Sequence, residues 1–175
     1  MKYLYYTVML LAGFGFSLTL AATIAAWSGV SLINSAQFGY LFVGIFVVWL
    51  PTVLIANRMV RFGNRRDFWK ITLSGCPQWM RQALYVVFGY AVVNFLLLIM
   101  GIYGSVHSGS GPPFDARTVS GHVLAFYGAA FAVSYSALHA PYLLKERKCP
   151  EGHTVSPTDE FCPKCGRPII DNPNS

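Results

Sequence analysis

The stretch LYYTVMLLAGFGFSLTLAATIAAW, residues 4–27, carries no charged side chain, and after a short interruption FGYLFVGIFVVWLPTVLIAN, residues 38–57, carries none either. Each matches the roughly 20 apolar residues that a helix needs to cross a 30 Å hydrocarbon layer. The interruption holds Ser28, Gly29, Ser31, Asn34, Ser35 and Gln37. Polar, turn-prone residues are costly in hydrocarbon without partners, so the chain reads as two spans joined by a turn. Working outward, residues 82–114 and 118–144 are also free of Asp, Glu, Lys and Arg, and each gap has room for one more span. Span three is expected at 83–103, with Pro77 suited to a first helical turn and Gly101 and Gly104 loosening the far end. Span four is expected at 119–140.

The whole chain is 54% hydrophobic and 11% charged, against about 25% charged in an ordinary soluble domain. Long uncharged gaps exclude a large extramembrane domain before residue 145. An apolar N-terminus with Ala21, Ala22, Ala25 and Ala26 near its end can also be a cleavable leader. The run is longer than a leader's 7 to 15 apolar residues, however, so retention is expected.

Orientation follows from where Lys and Arg gather in short connections. Lys2, then Arg58, Arg61, Arg65, Arg66, Lys70 and Arg81, then Lys145, Arg147 and Lys148 fall on one side, and Arg117 alone on the other. Both termini and the 58–82 connection are therefore expected in the cytoplasm of a bacterial-type inner membrane. Tyr3, Tyr5, Tyr6, Trp69, Trp79 and Tyr142 cluster at that side, and Trp27, Phe38, Tyr40 and Tyr103 at the other, as interfacial aromatic belts do.

Span one carries Gly13, Ser17, Ala21 and Ala25 at four-residue spacing, and span four carries Gly128, Ala132, Ser136 and Ala140. Small residues on one ridge let backbones approach closely, which is how helices associate in lipid. These ridges are expected at interfaces within the bundle, or against a partner or second copy. Polar groups in the spans are few, chiefly Asn94, His122, His139 and several hydroxyls, and no Asp, Glu, Lys or Arg is expected at membrane depth. Asn94 is expected to bond between helices. Pumps and coupled transporters usually need ionisable groups there. His122 and His139 lie on one helix about 25 Å apart at 1.5 Å per residue, so they cannot share one haem iron. Spans one to three offer no second histidine, only Met9 or Met100.

The 58–82 connection mixes Arg58, Arg61, Arg65, Arg66 and Lys70 with Phe68, Trp69, Ile71 and Leu73. It can lie as a short amphipathic segment and attract anionic lipid, although orientation alone accounts for its charge. Cys76, beside the membrane, is a free thiol or a palmitoylation site.

After span four the chain reads Cys149-Pro150-Glu151-Gly152-His153 and, further on, Cys162-Pro163-Lys164-Cys165-Gly166. Zinc takes four nitrogen or sulfur ligands in a tetrahedron, and two short knuckles on a hairpin-sized connection supply them. Gly152 and Gly166 allow the tight turns that aim amides at thiolate sulfur. A disulfide framework is disfavoured because the cysteine count is odd without Cys76 and the compartment is reducing. The segment resembles the zinc-ribbon family, in the form C-x-x-G-H followed by F-C-x-x-C-G, matched here by Cys149, Gly152, His153, Phe161, Cys162, Cys165 and Gly166. The resemblance implies one structural Zn2+ per chain on Cys149, His153, Cys162 and Cys165. It covers only the end of the chain, and ribbons serve many functions.

The expected fold class is thus an all-α polytopic membrane protein. It comprises a four-helix transmembrane domain over residues 1–148, a small C-terminal β zinc ribbon over 149–170 and a frayed tail at 171–175. No nucleophile and base, paired carboxylates or phosphate loop can be assembled, so an enzyme is not expected. The expected function is a non-enzymatic inner-membrane accessory, regulatory or immunity-type protein. It would bind another membrane protein or a second copy of itself in the bilayer, with the ribbon as docking or assembly module. Nucleic acid is not an expected partner. A small transporter or channel is the alternative, and a haem-bearing or redox subunit a further one.

Overall fold

A computed structural model describes residues 2–30, 35–60, 65–100, 116–144, 147–155 and 159–169. Arg61, the connection 104–115, Lys145 and the tail 171–175 lie outside these residues.

The helices are α1 Lys2–Trp27, α2 Ser35–Val60, α3 Phe68–Thr72, α4 Gln78–Ile99 and α5 Ala116–His139. Four of them are long and apolar enough to cross a membrane, namely α1, α2, α4 and α5, and they mark the chain as a membrane protein. Short 3-10 turns follow at Arg65–Asp67 and Pro141–Leu144. The β structure among the described residues is one antiparallel pair, β1 Arg147–Lys148 with β2 Thr154–Val155, and an isolated bridge between Phe161 and Pro168. That is less than a full ribbon.

The start of α1, the end of α2, α3 and the end of α5 meet in one cluster that includes Tyr5, Met59, Ile71, Ala137 and Leu143. This is the near end of the bundle. At the far end Trp27 Nε1 donates to Tyr90 Oη at 3.1 Å, and Tyr90 Oη lies 3.4 Å from Ser120 Oγ, which links α1, α4 and α5.

Helix α5 is the hub and touches each of the other three spans. Of its apolar stretch 67% is buried, against 17% for α4, although α5 is the least apolar span. The inversion is physical, because lipid tails are as apolar as leucine and hydrophobicity gives no reason to bury one helix before another. What selects the centre is small side chains: Ala129, Ala130, Ala132, Val133, Ser134, Ser136 and Ala137 are all buried. Large residues such as Leu10, Phe14, Val43, Val47, Leu50 and Val86 point outward.

Tyr127 ties three helices together. Its hydroxyl donates to the Leu41 carbonyl at 2.8 Å. Its ring occupies space that only glycine leaves: a Cβ at Gly15 would meet ring carbons at 2.4 to 2.7 Å, and one at Gly44 the hydroxyl at 2.5 Å. On α1 the buried face therefore runs through Tyr5, Val8, Ala12, Gly15, Thr19 and Ala22, in alternating steps of three and four. The four-residue ridge expected on span one lies beside this seam. Gly13 and Ala25 are half-buried, while Ser17 and Ala21 are exposed. Steps of four turn 400°, so a strict four-residue ridge drifts about 40° per step around the helix, whereas alternating three and four keeps to one seam. The ridge on α5 does lie inside the bundle. Gly128 meets Phe16 and Leu84, and Ala132, Ser136 and Ala140 are buried.

The chain between α3 and α4 dips into the bundle. The amide of Gly75 donates to Ser136 Oγ at 3.0 Å, and the Cys76 thiol to the Ala132 carbonyl at 3.2 Å. A Cβ at Gly75 would stand 2.7 Å from the Ser136 carbonyl oxygen, so the close approach requires glycine. Ala132 lies about 10 Å before the end of α5 at 1.5 Å per residue. Irregular backbone at such depth is tolerated because protein covers it. Pro77, at φ −61 and ψ 154, caps α4, which begins at Gln78 and not near residue 83. Arg81 thus lies in the first turn of a span, next to Met80, which packs with Ala129 and Ala132. The helix therefore starts at the proline and takes Arg81 into its first turn.

Candidate metal centre

Two hairpin knuckles build the C-terminal module. In the first, the amide of Cys149 donates to the His153 carbonyl at 2.9 Å and that of Gly152 to the Cys149 carbonyl at 2.8 Å. In the second, Cys162 donates to Arg167 at 2.9 Å and Gly166 to Cys162 at 2.8 Å. Gly152 and Gly166 have φ of 81° and 69°, left-handed values that residues with a Cβ adopt at a cost, and so a glycine closes each turn, three residues after Cys149 and four after Cys162.

The turns bring Cys149, His153, Cys162 and Cys165 together, with every ligand atom within 4.8 Å of the others, and this cluster could hold a metal ion. Cys149 Sγ lies 3.6 Å from His153 Nδ1 and 3.8 Å from Cys165 Sγ, and Cys162 Sγ lies 3.9 Å from His153 Nδ1. A tetrahedral ion with bonds of about 2.3 Å to sulfur and 2.0–2.1 Å to nitrogen has S···S edges of about 3.8 Å and S···N edges of about 3.6 Å. The donor spacing fits such an ion.

Electrostatics in the cluster point the same way. Desolvation pushes the Cys162 thiol up, but hydrogen bonds from the amides of Cys165 and Lys164, joined by the neighbouring thiols, outweigh it and bring the group down to about 6. At Cys165 the amide of Arg167 lowers the thiol, yet desolvation together with the Cys162 and Cys149 sulfurs leaves it raised. One thiolate forms readily and the next resists, as expected of crowded anions that a cation would relieve.

Apart from these sulfurs the module's core is Val155, with Ile169 against it. Arg167 reaches from the second knuckle to Glu151 of the first at 2.7 Å, but both side chains are about half exposed and such a pair contributes little. A core this small leaves most of the folding energy to a metal.

The other residues singled out in the sequence are scattered. Arg58, Arg66 and Lys70 are exposed. Arg65 lies in a 3-10 turn, and Arg61 is outside the described residues. In α3 Ile71 and Thr72 are buried while Trp69 and Lys70 face outward, an amphipathic segment across the near end. His139 Nδ1 lies 2.9 Å from the Tyr135 carbonyl oxygen and its ring stacks on Tyr135, while His122 stands edge-on to Phe95. Asn94 is buried where Gly121 lets α4 approach α5. Cys76 is a buried free thiol, closed to acylation while the turn stays folded. Sequence reasoning missed Tyr127 with Gly15 and Gly44, and also the start of α4 at Gln78, which takes Arg81 into the helix. Pro77 was the available signal for Arg81, since a proline that opens a helix places a residue four positions on inside it.

No family model matches the chain, and neither a curated protein nor a solved structure matches it.

Proposed function

We propose that the chain is a non-enzymatic membrane accessory or regulatory protein whose C-terminal module carries a structural zinc and docks another membrane protein. Three sulfurs and one imidazole suit zinc, and four protein ligands leave no open position for substrate, which favours a structural role. The excess of Lys and Arg at the near end supports a cytoplasmic location for the module.

The observation that carries this reading is the length of the leash. Pro141–Leu144 is not a free linker, because Leu143 is fully buried among Tyr5, Met59, Ile71 and Ala137. The first strand of the module begins at Arg147. Three peptide steps separate it from Leu144, about 11 Å at 3.8 Å each. The module is therefore confined to the near end, beside exposed Arg58, Arg66 and Lys70, and a partner docking there meets metal module and bundle together.

The test is recovery from native membranes in mild detergent, with full-length protein compared with full-length Cys162→Ser. The expected result is a stoichiometric membrane partner held by the first and lost by the second, with both inserted equally. If the purified chain alone, reconstituted in vesicles, moves a solute with saturable kinetics, the reading is wrong and a transporter replaces it.

A further inference from the structure

The second knuckle of the metal module sorts its side chains onto two faces. The amide of Cys162 donates to the Arg167 carbonyl and that of Ile169 to the Glu160 carbonyl, so Phe161 and Pro168, bridged between these bonds, form a non-hydrogen-bonded antiparallel pair. The side chains of such a pair lie close together on one face. Neighbours along each strand take the opposite face, and Cys162 and Ile169 accordingly turn inward to Val155. Phe161 is left 61% exposed, with Pro168 exposed beside it. Every other exposed large apolar side chain among the described residues lies on a membrane-spanning helix or, like Val30, Trp69 and Tyr142, in a short connection beside one. Lipid is the medium for those positions, and Phe161 is the exception on the module.

The leash brings that exception to the same medium. It starts beside Tyr142, an exposed ring next to buried Leu143, and such amphipathic rings sit at headgroup level. From Leu144 the chain has about 11 Å to reach Arg147. A compact unit over residues 147–169 has a radius of gyration of about 7 Å, so Phe161 stays within roughly 25 Å of Leu144. The module therefore rests against the surface of its own membrane, and turning it is enough to bring Phe161 to the headgroups. Charge does not drive this contact, because Arg167 is paired with Glu151, and exposed Lys148 and Lys164 stand against exposed Glu160.

We propose that the outward face of the second knuckle, Phe161 with Pro168, inserts into the headgroup–acyl boundary of the near-end leaflet and pins the module to the membrane. The tether makes this contact intramolecular, so a single aromatic anchor suffices where a free module would need more. The proposal rests on the membrane spans and the short leash, and not on the docking function proposed above.

The experiment places photoreactive p-benzoylphenylalanine at Phe161 and, separately, at exposed Glu160 on the other face, in the full-length chain in native membranes, with adducts identified by mass. Phospholipid adducts at 161 are expected to exceed those at 160 on the order of tenfold, the lower end of what burying one phenylalanine gives. Raising the salt concentration should leave the ratio unchanged, since an apolar contact is not screened. Predominantly protein adducts at 161 would overturn the proposal and make Phe161 a docking residue for a partner chain. Equal lipid labelling at the two positions, loss of labelling in salt, or no adduct at 161 would overturn it as well. A chain that still recovers its partner with lipid-labelled Phe161 keeps the docking reading intact, so the two proposals fail separately.

Discussion

Replacing Gly15 with alanine should destabilise the bundle far more than its size suggests. The added methyl would stand 2.4, 2.6 and 2.7 Å from three ring carbons of Tyr127, where carbon contacts settle at about 3.5 Å. Roughly 1 Å of displacement is needed, and the ring has nowhere to go: it is buried, Gly44 lies against its hydroxyl, and that hydroxyl is bonded to Leu41. Forced overpacking costs about 1–3 kcal/mol. Loss of the tyrosine hydrogen bond adds about 0.5–1.5 kcal/mol, for a total of about 2–4 kcal/mol. Gly39→Ala and Gly89→Ala are the controls, since nothing lies within 4 Å of a Cβ at either place. There, better helix propensity should leave stability unchanged or raised by up to about 1 kcal/mol. Unfolding by sodium dodecyl sulfate, followed by circular dichroism in mixed micelles, measures each. Tyr127→Leu should relieve the clash, so the double variant with Gly15→Ala should be more stable than the sum of the singles by at least about 1 kcal/mol. If Gly15→Ala matched the two controls and showed no coupling to Tyr127→Leu, the tyrosine would not be holding α1, α2 and α5 together.

Metal analysis of freshly purified, reduced protein should find one zinc per chain, and Cys162→Ser should lose it and become protease-sensitive after Lys148 with the spans still inserted. Acidification should release the zinc below about pH 5, because every ligand must be deprotonated to bind and protons compete as pH falls. Helical circular dichroism should hold through the same range, since the spans carry no carboxylate to titrate; a parallel loss of helix would tie the bundle to the metal. Single cysteines at Val30 and Lys70, both exposed and at opposite ends, should label with an impermeant maleimide from outside the cell and only after permeabilisation, respectively, and the reverse pattern would invert the proposed orientation.

The spans were legible because charge is excluded from hydrocarbon, and gaps between charges translate directly into helices. The cluster was legible because metal geometry demands close spacing along the chain, so Cys149 and His153, like Cys162 and Cys165, announce each other locally. Packing was not legible in the same way. Tyr127 and Gly15 are far apart in sequence, and neither is unusual in a membrane helix until the two are set face to face. Spacing singled out Gly13, Ser17, Ala21 and Ala25, but the face of α1 turned to the bundle is the neighbouring one that offers Gly15 to the tyrosine. The reach of α4 back to Gln78, which takes in Arg81, was less legible than the span itself, because the turn at Gly75 and Cys76 that positions it hooks onto Ser136 and Ala132, distant in sequence.

That hook explains why the near end is built as it is. A helix whose first turn packs against its neighbours leaves its first amides and any early cation short of water. Here the cost is met in parts: Ser136 and the Ala132 carbonyl take the polar groups of the turn, Pro77 removes one amide altogether, and Arg81 Nε is left buried without a hydrogen-bond partner. On the other side of the same end, Leu143 is locked into the core and shortens the leash of the metal module. Tethering by about 11 Å makes any protein that engages the module sensitive to the state of the bundle, which a long flexible linker would not do.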